Sequence, residues 1–452
     1  MTSDGPTLGT NTAARWVGPR GRRILHTGAW SMVAKVAAAA NLFVTVPFVL
    51  HRLGPEQFGV WATLVSLVAF AGFLDFGLGN GTMNLIAAAH GRGDSDRVGN
   101  ILREGRRTLF RVALWLAVAV SIALPLVPWQ RMLGAPDTMA GSSRAAVAAV
   151  LFTIVLAVPL NLANRVQLGL GRGDRAFRWQ AIGQVLTVAI VILLAKTGAS
   201  LALLVAAAVA TPLLASVANT LLLWRDSLVT TSTGPTRHPE IAAHIRREGL
   251  LFFVLQLAAA LAYSADLPLI SALRSPTDAG SYAIVQRLFS VIPLGLAFIW
   301  APLWPIYRQA LATGDHPWVL RTLRRSVLIA VVFACVAGAV LAFGFERIAG
   351  FWINRPLMVS GLLLAGFATW CAIDAAGTAI ATFLNAASIM RYQIIIATIF
   401  AITCVALKIW AIVHVGVWIV PWVTAATFLV VNLLPTVALG PRIMALTRTK
   451  TY

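Results

Sequence analysis

Six ionisable side chains interrupt otherwise apolar stretches of this chain: Lys35, Asp75, Asp266, Arg287, Asp374 and Lys408. Inside long runs of Leu, Val, Ile and Ala each charge needs a partner, a proton or a wet cavity, because an unsatisfied polar group in hydrocarbon costs several kcal/mol. Depth along the runs, at ~1.5 Å per residue, sorts them. Lys35, near the start of the first run, and Asp75 and Asp374, near the ends of the second and tenth, fall at comparable depth toward one side. Asp266 and Arg287, in runs seven and eight, fall toward the other and are close enough in topology to pair. A guanidinium at depth favours a carboxylate or phosphate, so Arg287 and Lys35 are the candidate anion-binding groups. Asp75, Asp266 and Asp374 are candidates for charge pairing or for carrying a coupling ion. Asn41, Asn164, Gln256 and Tyr263 are of types that hydrogen-bond hydroxyls, although helix-to-helix bonding uses the same residues.

Plainer roles compete with these. Lys408 lies near a helix end, where a long side chain ordinarily snorkels to the surface. Asp75, beside Gly77 and Gly79, suits a helix cap or break. Asp374 shares a small-residue face with Ala372, Ala375, Ala376 and Gly377, where a hydrogen bond to a neighbour is sufficient.

The elements that must position these groups are read from composition. With 59% hydrophobic and 12% charged residues and a mean hydropathy of +0.81, the chain is too apolar to fold around one soluble core. Apolar windows of roughly 20 residues, the length that crosses ~30 Å of hydrocarbon, recur about twelve times. The second is expected near Phe58 to Leu78, the seventh near Leu250 to Leu273, the eighth near Ser281 to Leu303 and the ninth near Val327 to Phe345.

Charge sets the orientation. Arg clusters at 92–111, 165–178, 225–247, 308–325 and 442–448 alternate with connections whose only basic residues are Arg52, Arg131, Arg144, Lys196, Arg274, Arg347 and Arg355. By the positive-inside rule both termini are cytoplasmic and the number of spans is even. The net charge of +20 is therefore topology, and nucleic acid is not an expected partner. Arg20, Arg22 and Arg23 before the first run resemble the start of a signal peptide, but Lys35 interrupts the supposed core and the apolar stretch continues to Leu50, as a first span would.

The chain also repeats itself. A shift of 221 places Pro55 on Pro276, Gly59 on Gly280, Trp61 on Tyr282, Ala62 on Ala283 and Gly93-Asp94 on Gly314-Asp315. A second marker, Arg178-Trp179-Gln180 and Arg391-Tyr392-Gln393, repeats at a shift of 213. Two related membrane bundles about a shared site are the usual build of a transporter. The expected fold is all-α: about 12 transmembrane helices in two pseudo-symmetric six-helix bundles with a central cavity. The expected divisions are a partly disordered cytoplasmic tail at 1–27, an N-terminal bundle at 28–224, a linker with a short amphipathic helix at 225–248, a C-terminal bundle at 249–440 and a tail at 441–452. Pro47, Pro159, Pro212, Pro268, Pro293, Pro302 and Pro421 predict kinks.

No catalytic residue, metal site or cofactor site is expected. The sequence has no GxxxxGK[ST] phosphate loop, its seven His residues show no metal-ligand spacing, and Cys335, Cys371 and Cys404 lie in apolar runs as expected of buried thiols.

The run LGPEQFGVWATLVSLVAFAGFLDFGLGNGTMNLIAAAHGRGD, Leu53 to Asp94, resembles the start of polysaccharide flippases of the multidrug/oligosaccharidyl-lipid/polysaccharide exporter superfamily. The resemblance rests on an LGxxxFGxW turn, an LDFGLGN segment and a GRGD loop in that order, and the twelve-span pattern extends it over most of the chain. It implies a multi-pass protein of the bacterial inner membrane. The implied activity is movement of undecaprenyl-diphosphate-linked oligosaccharide from the cytoplasmic to the outer leaflet by alternating access. The implied partners are the lipid-linked substrate, membrane lipids, H+ or Na+ as coupling ion, and a polysaccharide polymerase or glycosyltransferase. Two alternatives remain open at this point. One is a cation-coupled multidrug exporter of the same superfamily, which would favour an acidic, aromatic cavity. The other is a membrane glycan polymerase, which would need a larger outer loop than any expected here. A peptidoglycan-precursor flippase would carry two further helices.

Overall fold

The computed structural model describes residues 19–68, 75–135, 140–225, 238–387 and 389–449, and these are predominantly helical, without a strand. Residues 1–18 of the expected tail and 226–237 of the expected joint lie outside the described residues, while 19–27 already belong to the first helix. Ten helices are long and apolar enough to span a membrane, and Gln256–Ser264 with Asp266–Leu273, bent by 45°, passes as an eleventh. The first of them, Pro19–Leu67, is broken at Gly54 (φ 76°, ψ 173°), which divides it into α1 (19–53) and the first arm of α2 (55–67). Residues 69–74 lie outside the described residues, and helix resumes in Leu78–Gly91, the second arm of α2.

The remaining spans follow in order. In the N-terminal half α3 is Ser95–Leu126, α4 is Ala140–Leu160 continued by Leu162–Gly169, α5 is Gly173–Lys196 and α6 is Leu201–Trp224. In the C-terminal half α7 is Pro239–Ser264 with Asp266–Leu273, and α8 is Pro276–Phe289 with Val291–Ala312. They are followed by α9, His316–Ile353, α10, Gly361–Ala386, α11, Met390–His414, and α12, which begins at Val420–Phe428 after a single 3-10 turn and continues through a π-helical turn at Leu429–Leu433.

The repeat seen in the sequence is a repeat of structure. Pro55 and Pro276 both open a helix, where a missing N–H and a fixed φ cost nothing; Ser275 accepts from the Asp278 N–H at 3.1 Å. At the far end of each unit a left-handed glycine, Gly93 or Gly314, stops the helix, and the aspartate after it caps the next. Asp94 accepts from Arg97 N–H at 2.9 Å and Asp315 from Trp318 N–H at 3.1 Å, the usual work of an N-cap carboxylate.

Several expected boundaries move. Helix continues beyond the expected ends Leu78 and Leu303, to Gly91 and Ala312, so Asp75 lies just before the start of the Leu78–Gly91 segment. The amphipathic stretch before Leu250 is continuous with α7. It packs onto the N-terminal bundle, burying Ala242 and Ile245, and the His238 N–H donates to Glu104 at 3.3 Å. Helix nine is 38 residues long, since its Arg-bearing first turns extend it past the hydrocarbon. Cys371 and Cys404 are buried as expected, but Cys335 is exposed.

Buried apolar residues divide by depth. One core spans both halves, joining Val46, Phe58 and Leu64 of α1 and α2 to Ile284, Phe289 and Phe367 of α8 and α10. These residues belong to the Arg-poor, outer ends of their helices. Toward the Arg-rich end there are two separate cores, one built on Ile86, Ile101 and Val166 and another on Tyr307, Val319 and Phe383. The two lobes are thus fused on the outer side and packed independently on the inner side, with α7 crossing between them.

Candidate functional site

The outer seam is built by the repeat itself. Gly59 of α2 and Gly280 of α8, equivalent under the 221-residue shift, face each other so closely that a Cβ on Gly59 would lie 1.6 Å from the Pro276 carbonyl oxygen. Only hydrogen side chains permit the two backbones this approach. Around them Ser271 Oγ donates to the Leu133 carbonyl at 2.5 Å and Trp352 Nε1 donates to the Phe43 carbonyl at 2.7 Å, each bond joining one lobe to the other.

Arg287 of α8 is buried at this seam. Its guanidinium carbon sits 5.0 Å from the Trp61 ring and 5.9 Å from the Phe58 ring, both on α2, within the range of cation–π attraction. Its Nη1 has no hydrogen-bond partner among the described residues. Arg287 is not the partner of Asp266.

That partner is Lys408, and here the sequence reading is corrected. Lys408 does not snorkel: it is fully buried, with Nζ 2.6 Å from Asp266 Oδ1 and donating to the Ala262 carbonyl at 2.8 Å. Tyr282 donates its hydroxyl to the other oxygen, Oδ2, at 2.8 Å. The reason is topological: α11 runs against α7 where Ser264–Asp266 bends, and the bend presents both the carboxylate and a carbonyl freed from the helix ladder to the ammonium group. The triad borders a cavity of about 150 Å3. Tyr263, its ring tilted against those of Trp370 and Phe400, separates it from a second cavity of about 200 Å3 lined in part by Asp374, Tyr392, Gln393 and Asn432. Asp374 thus faces a cavity of mixed lining inside the C-terminal lobe.

The N-terminal lobe carries its own polar line. Gln167 Nε2 donates to Asn219 at 2.6 Å and Asn219 Nδ2 donates to Asn164 at 2.9 Å; Asn41 Nδ2 donates to Gln184 at 2.7 Å. Asp75 accepts from the Gly77 and Gly79 N–H groups at 2.8 and 3.2 Å, which caps the second arm of α2 from just before its start. Gln256 Oε1 on α7 is buried without a partner among the described residues. Lys35 is exposed on α1 beside exposed Met32, Val33 and Val36 and joins none of these groups. The structure therefore does not gather the expected residues at one point: Arg287 lies at the seam, Asp266 and Asp374 inside one lobe, Asn41 and Asn164 inside the other.

Lys408 and Asn219 are the residues that sequence reasoning undervalued. A signal for the second existed, since the 213-residue shift that relates Trp179 to Tyr392 also carries Asn219 onto Asn432 and Asn161 onto Asp374.

Two lobes related by an internal repeat, fused on one side and lined with polar groups within, define a multi-pass, two-bundle helical membrane fold. Solved structures agree. The inward-facing conformation of a multidrug resistance MATE family transporter of the MOP superfamily matches with a TM-score of 0.78 at 16% identity, over 93% of this chain and 99% of that one. The outward-facing conformation of such a transporter matches at 0.66 and 17%, over 98% and 100%. A MOP superfamily transporter from Pyrococcus furiosus, whose binding pocket is described as having reverse polarity, matches at 0.65 and 17%, over 98% and 100%. At such identities the likeness is one of fold. The family follows from sequence: residues 24–311 match the family described as polysaccharide biosynthesis protein, and the chain belongs to it. A curated relative, the succinoglycan biosynthesis transport protein ExoT of Rhizobium meliloti (strain 1021), is 30% identical over 204 residues, 43% of this chain and 34% of that protein. The chain thus matches about a third of that relative's length. The family's description is of polysaccharide biosynthesis, and the relative's name is of transport in such a pathway.

Proposed function

We propose that this protein is a flippase for undecaprenyl-diphosphate-linked oligosaccharide, carrying it from the inner to the outer leaflet by alternating access. The observation that carries this reading is the asymmetry of packing: one core joins the lobes at the outer end and two separate cores stand at the inner end. This is the inward-open half of a rocking cycle, in which the shared outer core and its backbone and polar contacts part as the lobes rock. A diphosphate and its sugars need a hydrated path because hydrocarbon solvates neither. Arg287, whose present partners are aromatic faces, is the group released to bind phosphate when the outer seam opens. In this reading the Lys408–Asp266–Tyr282 triad and Asp374 carry the response to H+ or Na+, since a buried ion pair at a helix bend is sensitive to any third charge.

A second reading has its own support. The cavity bordered by Asp374, Tyr263 and Tyr392 is acidic and aromatic, as a site for organic cations would be, and favours multidrug export. Thermal stabilisation of the purified full chain separates the two, because a ligand stabilises the state it binds. Lipid-linked oligosaccharide should raise the melting temperature and cationic dyes should not. Stabilisation by dyes alone would overturn the flippase reading.

A further inference from the structure

The two lobes hold a matched pair of pockets with opposite charge. Under the 213-residue shift, Trp179 and Asn219 in the N-terminal lobe correspond to Tyr392 and Asn432 in the C-terminal lobe. Each pair borders a cavity at the same place in its bundle, between the fifth and sixth helices of that half. The C-terminal cavity is completed by a carboxylate, Asp374, and its lining holds no arginine among the described residues. The N-terminal one, about 390 Å3, is completed by Arg175 and Arg178. The two equivalent places thus carry opposite charge, one acidic and one basic.

The basic pocket is composed as an amphiphile's head group requires. Arg175 and Arg178 stand at the Arg-rich end of α5, the level of inner-leaflet head groups. Arg178 is held by Asp174 at 2.8 Å and lies 5.5 Å from the Trp30 ring, so its guanidinium is positioned while donors remain for a phosphate. Trp179 offers an indole face beside them, a surface on which the C–H face of a sugar ring stacks. At the base, Gln167 is 4% exposed and its Oε1 has no partner among the described residues. A buried acceptor in that state awaits a donor such as a sugar hydroxyl. The rim carries exposed Ile182 and Leu222, apolar and suited to the start of a hydrocarbon tail.

We propose that this pocket, between the inner ends of α4, α5 and α6, is the first docking site for the diphosphate-sugar head of the lipid-linked substrate, before the head moves to the seam where Arg287 lies. The proposal rests on the flippase reading and adds to it a place where recognition begins. Phosphate chemistry is shared with membrane phospholipids, so the test separates the two sources.

Native mass spectrometry of the full chain in detergent would measure binding of three probes: undecaprenyl diphosphate bearing one sugar, undecaprenyl diphosphate alone, and dioleoylphosphatidylglycerol. Arg175→Gln/Arg178→Gln should weaken the first two at least tenfold, roughly what loss of a charge-assisted contact gives, and leave the phospholipid unchanged. Trp179→Leu should weaken only the probe bearing the sugar. Arg175→Lys/Arg178→Lys, which keeps the charge, should restore most of the affinity and shows that the protein folds. Equal loss of the phospholipid would make this a general lipid contact and overturn the proposal, as would undiminished binding of the sugar-bearing probe by the glutamine variant. If the unaltered protein bound no diphosphate probe at all, the flippase reading itself would fail.

Discussion

Replacing Gly59 by alanine should push the protein out of the conformation described here. The new Cβ would lie 1.6 Å from the Pro276 carbonyl oxygen, against the 3.4 Å at which ordinary contact begins. The obstacle is backbone on the facing helix, so no side-chain rotation relieves it, and the lobes must part at the seam. Overpacking of this kind costs about 1–3 kcal/mol, which shifts a two-state equilibrium by about 5- to 150-fold. The reporter is Ser271→Cys in a background without Cys335, Cys371 and Cys404. Ser271 is buried at the seam against the Leu133 carbonyl, and a membrane-impermeant maleimide added from outside reaches it only when the seam opens. Labelling should be slow with Gly59 present and faster by at least about fivefold in Gly59→Ala, the lower bound of that shift. Unchanged labelling in a variant that melts at the same temperature would refute the argument that repeat-related backbone contact closes the outer side.

Other consequences are as direct. Lys408→Met alone should destabilise the protein by about 3–5 kcal/mol, because it leaves the buried Asp266 carboxylate without its cation, whereas Lys408→Met with Asp266→Leu should recover much of the loss; thermal unfolding in detergent reads both. Arg287→Leu should keep the fold, since its surroundings at Phe58 and Trp61 are aromatic, yet abolish transport, and Arg287→Lys should retain part of it; equal transport by all three proteins would remove Arg287 from the pathway. Trp352→Phe deletes the bond to the Phe43 carbonyl, should cost about 1 kcal/mol of seam stability, and should raise labelling at Ser271→Cys modestly.

Much of this architecture could be read from the chain because membranes allow few solutions. Hydropathy places most of the spans. The Pro-x-x-x-Gly and Gly-Asp markers are legible because each does local work: proline opens a helix, glycine ends it, and aspartate caps its successor. Lengths were less legible. The second arm of α2, Leu78–Gly91, contains Asn80, Thr82, Asn84 and His90, polar residues that hide a helix from an apolar window but are accommodated where it packs on α4 and α7. The charges were hardest. Whether Lys408 reaches the surface or a carboxylate depends on which helix lies beside it and on the bend at Ser264–Asp266, and neither is written in the local sequence. Arg287 illustrates the same limit, since its neighbours Phe58 and Trp61 come from the other half of the chain.

The central claim is movement of a lipid-linked glycan between leaflets. Purified full-length protein would be reconstituted into liposomes containing undecaprenyl-diphosphate-linked oligosaccharide labelled on the inner leaflet, and a membrane-impermeant glycosidase added outside would report the fraction that arrives. The account predicts rapid, protein-dependent cleavage that Arg287→Leu abolishes. Cleavage no faster than in protein-free liposomes, with the protein folded and correctly inserted, would contradict it.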